Sequence, residues 1–416
     1  SNGTITIDYF AFDLVDNLEA FNTEVVRLDT NTPSSTIDYN ISYPPSFINS
    51  TTEFSLSAGD AGVGESDVQL VRYRLNGGSW TTYSSEFTVA SEGNGTVVID
   101  YQSIDNVGNV EPYNTLEVQL DSNLPNTTIT YSIEFAPDYV NASTTFTLIA
   151  NDAGVEESGI NITEYRLNGG IWNTYSTPFS VTTAGTGSVI IDYRSKDYVG
   201  NQEAYGTVSV WLDDNNPTST LSFTPEFGSD YVNRTTTFSL STGDGGESGV
   251  QEIFYNLNGT GWTTYSSSFD LSTFGNGTVQ IDYYAIDNVN NVEITKTRTV
   301  LLDANTPTST LSFTEPHVVQ YVNQTTSFTI NRDDGIGESG IARSFYNINY
   351  SGWVEYSGAF TLGAFSNGTI NISYYSVDNV DNIESINSEI VYHDTLQPNT
   401  TIDFTPIYGS NYIDLS

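Results

Sequence analysis

Acidic side chains return along this sequence at a fixed interval, and they carry its clearest chemistry. One series of aspartates precedes a proline by four residues, and another opens the motif D-x-V-x-N. Carboxylate and amide oxygens at regular positions suit a hard divalent cation, and Ca²⁺ accepts about six to eight of them in a flexible geometry. The first series is Asp29, Asp121, Asp213, Asp303 and Asp394, and the second is Asp13, Asp105, Asp197, Asp287 and Asp378.

A third acidic segment lies between the two series, and all three meet if they share one end of a domain. Converging carboxylates repel each other, and a bound cation removes that cost. We therefore carry Ca²⁺ as a hypothesis. The alternative is that Asp and Asn cap turns through bonds to the backbone, and the sequence leaves both open. The candidate ligands are Asp29, Asn31, Asp60, Glu65, Asp105 and Asn109; Asp121, Asn123, Asp152, Glu157, Asp197 and Asn201; Asp213, Asn215, Asp244, Glu247, Asp287 and Asn291; and Asp303, Asn305, Asp333, Asp334, Glu338, Asp378 and Asn382.

The elements that would position these residues follow the same interval of about 91 residues, which is marked by a tryptophan at the same position of each repeat. Self-similarity at a fixed period is typical of tandem repeats. Short alternating segments separated by turn residues predict an all-β fold of immunoglobulin-like β-sandwiches, with almost no helix. In the unit 122–213 the predicted strands are 127–135, 144–150, 162–167, 172–175, 178–182, 188–196 and 203–212.

The repeat divides the chain into four complete predicted domains, 33–121, 122–213, 214–303 and 304–394. Residues 1–32 match only the last two strands and a linker, and residues 395–416 match only the first strands. Either the chain is a slice of a longer one, which we favour, or these strands exchange with a neighbouring subunit. The linkers are short and contain proline, so we expect stiff joints and an end-to-end rod.

Two motifs carry a resemblance to a known class of repeat. Y-x-L-N-G-x-x-W occurs at Tyr73–Trp80 and Tyr165–Trp172, and D-x-V-G-N-x-E follows at Asp105–Glu111 and Asp197–Glu203. Together they resemble the Ig-like repeats of large bacterial and archaeal cell-surface proteins. The resemblance implies the sandwich fold and an extracellular location. The D-x-N-x-P linker also resembles, in a looser form, the calcium-binding linkers of cadherins, which implies metal that stiffens each joint.

Composition excludes several classes of partner. The formal net charge is -40, from 51 acidic and 11 basic residues. Such a surface repels nucleic acid and anionic lipid and attracts cations, although adaptation to high salt gives the same composition. The sequence has no Cys and no Met, which removes disulfides and thiolate metal sites. No apolar stretch approaches the roughly 18 residues of a membrane-spanning helix.

Sequons for N-linked glycosylation recur in two registers. We expect these asparagines to lie in surface loops of an exported glycoprotein, unless the sequon is incidental to a Thr-rich strand start. The first register is Asn49, Asn141, Asn233 and Asn323, and the second, in the loop N-G-T, is Asn2, Asn94, Asn276 and Asn367.

The pattern argues against catalysis. His317 and His393 are the only histidines, and they occupy unrelated repeat positions. The acidic and aromatic features recur in every unit, whereas a catalytic site usually occurs once. Aromatics such as Trp80 could stack on sugars, but packing as a cover over one end of the core is favoured. The sequence therefore predicts a non-enzymatic structural protein of a surface filament, sheath, stalk or S-layer, with copies of itself or other surface subunits as partners. The alternative is the stalk of an adhesin.

Overall fold

The computed structural model of the chain describes residues 3–40, 43–62, 64–131, 138–154, 156–225, 227–246, 248–314 and 319–403. The described residues are all-β apart from three single-turn 3₁₀ helices, so the predicted fold class is confirmed. The chain forms two compact units, Ser1–Asn215 and Asn216–Ser416. Among the described residues, no helix has the length and apolarity that crossing a membrane would require.

The first unit opens with an antiparallel hairpin of β1 (Gly3–Tyr9) and β2 (Asn22–Leu28), followed by two sandwiches. In repeat 1, β3 pairs with β5, and the second sheet has the order β4-β9-β8-β6-β7. The strands of repeat 1 are β3 (Ser34–Tyr39), β4 (Phe47–Ile48), β5 (Phe54–Gly59), β6 (Val68–Leu75), β7 (Thr81–Thr82), β8 (Gly95–Asp105) and β9 (Asn114–Leu120). Those of repeat 2 are β10 (Asn126–Tyr131), β11 (Tyr139–Val140), β12 (Phe146–Asn151), β13 (Ile160–Leu167), β14 (Asn173–Thr174), β15 (Gly187–Asp197) and β16 (Gly206–Leu212).

The second unit holds repeats 3 and 4, which have the same topology. Repeat 3 comprises β17 (Thr218–Thr224), β18 (Tyr231–Val232), β19 (Thr237–Gly243), β20 (Val250–Leu257), β21 (Thr263–Thr264), β22 (Gly277–Asp287) and β23 (Lys296–Leu302). Repeat 4 comprises β24 (Thr308–Phe313), β25 (Tyr321–Val322), β26 (Phe328–Asp333), β27 (Ile341–Ile348), β28 (Val354–Glu355), β29 (Gly368–Asp378) and β30 (Asn387–His393). The 3₁₀ helices are Ala90–Glu92, Thr182–Ala184 and Gly228–Asp230.

The strand predictions for repeat 2 differ from the structure in two places. The predicted strand 178–182 is wrong, because only Phe179 makes a β-bridge there, to Phe146, and a 3₁₀ turn follows. The parallel pair β11–β16 was not predicted, since two residues carry no alternating pattern. The predicted first strand is observed as far as Tyr131, and the rest of it lies outside the described residues.

Each core is built from alternating positions of both sheets around a central phenylalanine. In repeat 1 Phe54 is fully buried, and its ring lies 5.5 Å from that of Phe87, which stacks in turn on Tyr73 at 3.7 Å. The hairpin β6–β7 turns at Asn76 and Gly77, whose φ values of 48° and 72° suit a type I′ turn. The other buried residues of this core are Ile48, Val89, Val97, Ile99, Val118 and Leu120.

A glutamate ties the two sheets of each repeat together, and it is buried in repeats 1 and 3. Glu111 accepts bonds from the backbone N–H of Ser35 on β3 at 2.9 Å and from that of Ser103 on β8 at 2.9 Å. Both serine hydroxyls and the Asn114 amide also donate to it. Burial alone would raise the pKa of Glu111, but these bonds outweigh it and hold the pKa below its ordinary value. The equivalent residues are Glu203, Glu293 and Glu384.

We expect Glu111→Gln to destabilise repeat 1 by about 1–3 kcal/mol, because the amide places a donor against the donors that the carboxylate accepts. Scanning calorimetry of the chain should show one transition moved to lower temperature. Glu117→Gln, at an exposed position of β9, is the matched control and should leave all transitions in place. Equal effects of the two substitutions would contradict the role of this carboxylate.

Candidate metal centre at the repeat junctions

The aspartate that follows the last strand of a repeat is the fixed point of each junction. The backbone N–H of Asp121 donates to Ile48 O at 2.9 Å, which extends the parallel pair β4–β9 by one residue. Its Oδ1 accepts the N–H of Asn123 at 3.1 Å, and its Oδ2 accepts that of Ser158, in the next repeat, at 2.8 Å. Asp29 and Asp303 make the equivalent bonds to Ser66 and Ser339.

Loop carboxylates of the following repeat converge on this aspartate. One oxygen from each member of a group lies within 4.8 Å of the others. Glycine allows the loop glutamate to fold back over the group, since a Cβ at Gly154 would lie 1.5 Å from Glu157 Oε1. The groups within the two units are Asp29, Asp60 and Glu65; Asp121, Asp152 and Asp197; and Asp303, Asp334 and Glu338. In the second unit, Asp244 and Asp287 also offer oxygens within this distance.

Some of these oxygens are buried without a hydrogen-bond partner. Asp334 is 7% exposed, and its Oδ2 accepts the N–H of Gly340 at 2.6 Å, while its Oδ1 is buried with no partner. Both oxygens of Asp60 and Oδ1 of Asp152 are also buried without a partner. A buried, unpartnered carboxylate oxygen costs free energy unless a cation or proton meets it. These atoms distinguish the groups from an exposed acidic patch.

Burial and the repulsion between neighbouring carboxylates raise the pKa values of several acids at the junctions. Burial, and then the charges of Asp303, Asp378 and Glu338, raise the pKa of Asp334 to about 6, although its bond from Gly340 opposes the shift. Burial and then Glu65 raise the pKa of Asp60 to about 6. Burial is the main cause that raises the pKa of Glu157 to about 7.

The turn-capping alternative also holds, for a set of aspartates that overlaps the carboxylate groups at Asp197 and Asp287. Asp105 Oδ1 accepts the N–H groups of Val107 and Asn109, and its Oδ2 accepts Asn109 Nδ2 at 2.7 Å. This aspartate therefore closes the D-x-V-G-N turn. Asn109 Nδ2 also donates to the backbone carbonyl of Asp29 at 3.4 Å, which connects the turn to the linker. The same turn bonds join Asp197 to Asn201, Asp287 to Asn291 and Asp378 to Asn382.

The predicted asparagines orient carboxylates in this structure. Nδ2 of Asn123 donates to Glu157 Oε1 at 2.7 Å, and Nδ2 of Asn305 donates to Glu338 Oε1 at 2.7 Å. Asn31 makes the same bond to Glu65, and the backbone N–H of Asn215 donates to Asp213.

One predicted ligand lies beside its carboxylate group, and another is outside the described residues. Asp333 ends β26, is exposed and bonds the N–H of Gly335, so it is Asp334 that faces the junction. The repeat register could have shown this, because Asp60, Asp152, Asp244 and Asp334 are equivalent positions. Glu247 falls outside the described residues.

A second contact joins consecutive repeats, and sequence reasoning missed it. Nδ2 of Asn49 donates to Val199 O in the next repeat at 2.7 Å, and Nδ2 of Asn233 donates to Val380 O at 2.6 Å. Val199 and Val380 are buried at 5% and 0% exposure, whereas Val107, at the same turn of repeat 1, is 62% exposed. We call this contact the asparagine pin.

The asparagine pin and the linker account structurally for both sequon registers. Oδ1 of Asn233 accepts from the backbone and hydroxyl of Thr235, the third residue of the sequon, so the motif N-x-T forms a local cap. In the second register, Oδ1 of Asn276 accepts the linker N–H of Ala304. Asn94 and Asn367 bond the linker in the same way, Asn141 is buried, Asn323 is exposed, and Asn2 lies outside the described residues. Glycosylation stays a prediction, but at Asn233 a glycan would have to displace the pin.

Comparisons with known proteins were made for the whole chain. No family model matches it, and no curated protein is significantly similar to it. A tetra-tandem repeat from the extending region of a large adhesion protein matches with 14% identity and a TM-score of 0.32, covering 85% of this chain and 100% of its own.

Two further solved structures are similar. A structure of a 1.5-MDa bacterial ice-binding adhesin has 15% identity, a TM-score of 0.30 and coverage of 67% of this chain and 100% of its own. Invasin, a bacterial integrin-binding protein, has 12% identity, a TM-score of 0.31 and coverage of 87% and 79%. Identities of 12–15% and TM-scores near 0.3 carry no conclusion about function.

Asn233→Asp should destabilise the contact between repeats 3 and 4, because a carboxylate would face the Val380 carbonyl in place of a donor. Asn323→Asp is the matched control, since Asn323 has the same cap but is exposed. We expect calorimetry to show a lower transition temperature for Asn233→Asp alone. A shift of the same size in the control would show that the cap, not the pin, matters.

The raised pKa values predict that metal-free protein loses stability as pH rises. Folding favours the protonated acid when the folded pKa exceeds the unfolded value, so stability falls between the ordinary pKa near 4 and the folded values near 6 and 7. In EDTA we expect a higher melting temperature at pH 5 than at pH 7.5. Asp334→Asn should reduce this difference, while Asp333→Asn should not. An unchanged slope in Asp334→Asn would contradict the assignment.

Proposed function

We propose that the chain is a non-enzymatic structural segment of an extracellular surface protein, in which Ca²⁺ holds consecutive sandwiches at their junctions. The observation that supports it most directly is the buried, unpartnered Asp334 Oδ1 within a group of three carboxylates. A similar group recurs where Asp29 and Asp121 enter the following repeat. A structural role explains such repetition, because each junction needs the same device.

Calcium suits the chemistry of these residues better than other common cations. The donors are carboxylate oxygens from a linker and a loop, and neither Cys nor a repeated His is present. Ca²⁺ tolerates irregular oxygen sets, whereas Mg²⁺ demands near-octahedral geometry. In repeat 4 the carboxylates of Asp303, Asp334 and Glu338 would hold the ion. It would neutralise their mutual repulsion and link the last strand of one repeat to the loop of the next.

Calcium binding is tested by melting the chain with excess CaCl₂ and with EDTA. We expect CaCl₂ to raise the melting temperature, since a ligand of the folded state stabilises by mass action. Asp334→Asn should remove part of this gain, while in EDTA the same variant should melt above the wild type because one buried charge is gone. Asp333→Asn, one residue away and exposed, should behave as the wild type.

Two results would contradict the proposal. Equal melting temperatures in CaCl₂ and EDTA would reject metal at the junctions. A gain of equal size with MgCl₂, or with NaCl at matched ionic strength, would reduce the effect to screening of the acidic surface. The structural role has a separate test, because cell fractionation of the source organism should recover the protein with the surface material.

A further inference from the structure

The tryptophan that marks each repeat lies on the outer face of the five-stranded sheet and does not cover the end of the core. In repeat 1 the Trp80 ring is covered by two guanidinium groups, with Cζ of Arg72 and Arg74 at 4.8 and 4.7 Å from its centroid. Arg74 is held there by Asp100 at 2.8 Å and by the Tyr113 ring at 5.1 Å. Cation–π contacts therefore occupy this ring.

Repeat 2 has the same arrangement. Cζ of Arg166 and Arg194 lie 4.7 and 4.0 Å from the Trp172 centroid. Ion pairs with Asp192 and Glu164 hold the two guanidinium groups. In repeats 1 and 2, the tryptophan ring is thus covered by arginine side chains that ion pairs hold in place.

Among the described residues of repeats 3 and 4, no guanidinium group covers the tryptophan. Asn256 and Asn347 stand at the positions of Arg74 and Arg166. Aromatic rings stand at the positions that hold Arg72 in repeat 1 and Arg194 in repeat 2. Phe254 and Tyr284 are cross-strand partners with ring centroids 5.2 Å apart, and Trp262 meets Tyr284 edge-on at 4.6 Å. Repeat 4 repeats the trio with Phe345, Tyr375 and Trp353 at 5.2 and 4.7 Å. Trp262 and Trp353 are 45% and 41% exposed.

We propose that these two trios, named here the aromatic faces, bind a neutral polysaccharide. The C–H-bearing face of a sugar ring is apolar and slightly positive, so it stacks on the negative face of an exposed indole or phenol ring. Residues two positions along the same strands point to the same side of a sheet. Asn256 and Asp282 therefore stand beside the first face, and Asn347 and Ser373 beside the second, as partners for sugar hydroxyls.

Charge restricts the polysaccharide to a neutral one. The chain carries a net charge of -40, which repels polyanions. In repeat 4, Arg343 lies over the Phe345 ring at 6.0 Å, and no guanidinium or ammonium group of the described residues is recorded over Trp262 or Trp353. A polymer long enough to reach both faces would combine two weak stacking contacts. This activity is additional to the structural role and does not depend on calcium.

The test compares two double variants of the full chain by affinity electrophoresis through laminarin, yeast mannan and hydroxyethyl cellulose. Trp262→Ala/Trp353→Ala removes the exposed indole ring from each aromatic face. Trp80→Ala/Trp172→Ala removes the two covered tryptophans and is the matched control. We expect at least one of these glycans to retard the wild type, the first variant to bind about tenfold more weakly, and the control to bind as the wild type.

Circular dichroism checks that each variant is folded, and Tyr284→Ser/Tyr375→Ser replaces the first variant if it is not. Three results would overturn the proposal. They are no retardation by any of the glycans, an equal loss of binding in both tryptophan variants, and retardation by alginate equal to that by the neutral glycans. If sedimentation velocity shows a dimer for the wild type and a monomer for the first variant, and no glycan binds, the aromatic faces form a contact between copies of the chain.

Discussion

The carboxylate of the linker aspartate is the constraint on which each junction within a unit depends. It is fixed from three sides: the parallel strand pair sets its backbone, the linker binds one oxygen, and the loop of the next repeat binds the other. Asp121 shows all three, through Ile48, Asn123 and Ser158. These bonds place the charge of the linker aspartate at the junction between two repeats. The acidic residues of the loop in the following repeat lie beside that charge. The hydrogen bonds that align the two repeats therefore also bring carboxylates together, and a cation would relieve their repulsion.

One short motif supplies several parts of this arrangement. In D-x-V-G-N-x-E of repeat 2, Asp197 closes the turn, Val199 receives the asparagine pin of the preceding repeat, and Asn201 bonds the carbonyl of Asp121. Glu203 then ties the first strand to β15. Folding of the sandwich and alignment of its neighbour therefore use adjacent residues. A change in this motif affects both, which explains why the motif keeps its register within the chain.

Much of the architecture could be predicted from periodicity, because alternation and turn residues report directly on strands. Long strands such as β13 and β15 were predicted within a few residues. The two-residue strand β11 could not be, since its pairing with β16 is set by tertiary contact rather than by pattern. The convergence of Asp121 and Asp152 was predicted, but the orphaned oxygens were not. Burial of single atoms depends on loop conformation, which spacing does not encode. The predicted position of Trp172 over the core was wrong, because its Arg166 contact lies on the outer face.

The repeats differ at positions that the junction between repeats does not constrain. The linker aspartate, the loop acid and the sheet-tying glutamate serve packing and alignment, and they return in each complete repeat. The outer face of the five-stranded sheet packs against neither the core nor the junction, so its residues are free to vary. There the first unit places Arg74 and Arg166 over tryptophan, and the second places Tyr284 and Tyr375 beside it. Asn256 and Asn347 stand where the first unit has these two arginines, so the second unit lacks their ion pairs and has stacked aromatic pairs beside the tryptophan. The stacked cross-strand pairs stabilise the sheet, but Trp262 and Trp353 stay 45% and 41% exposed. A ligand that covers the two tryptophan rings would bury this exposed apolar surface, so the variable face, rather than the repeated junction, is the place to look for specific binding.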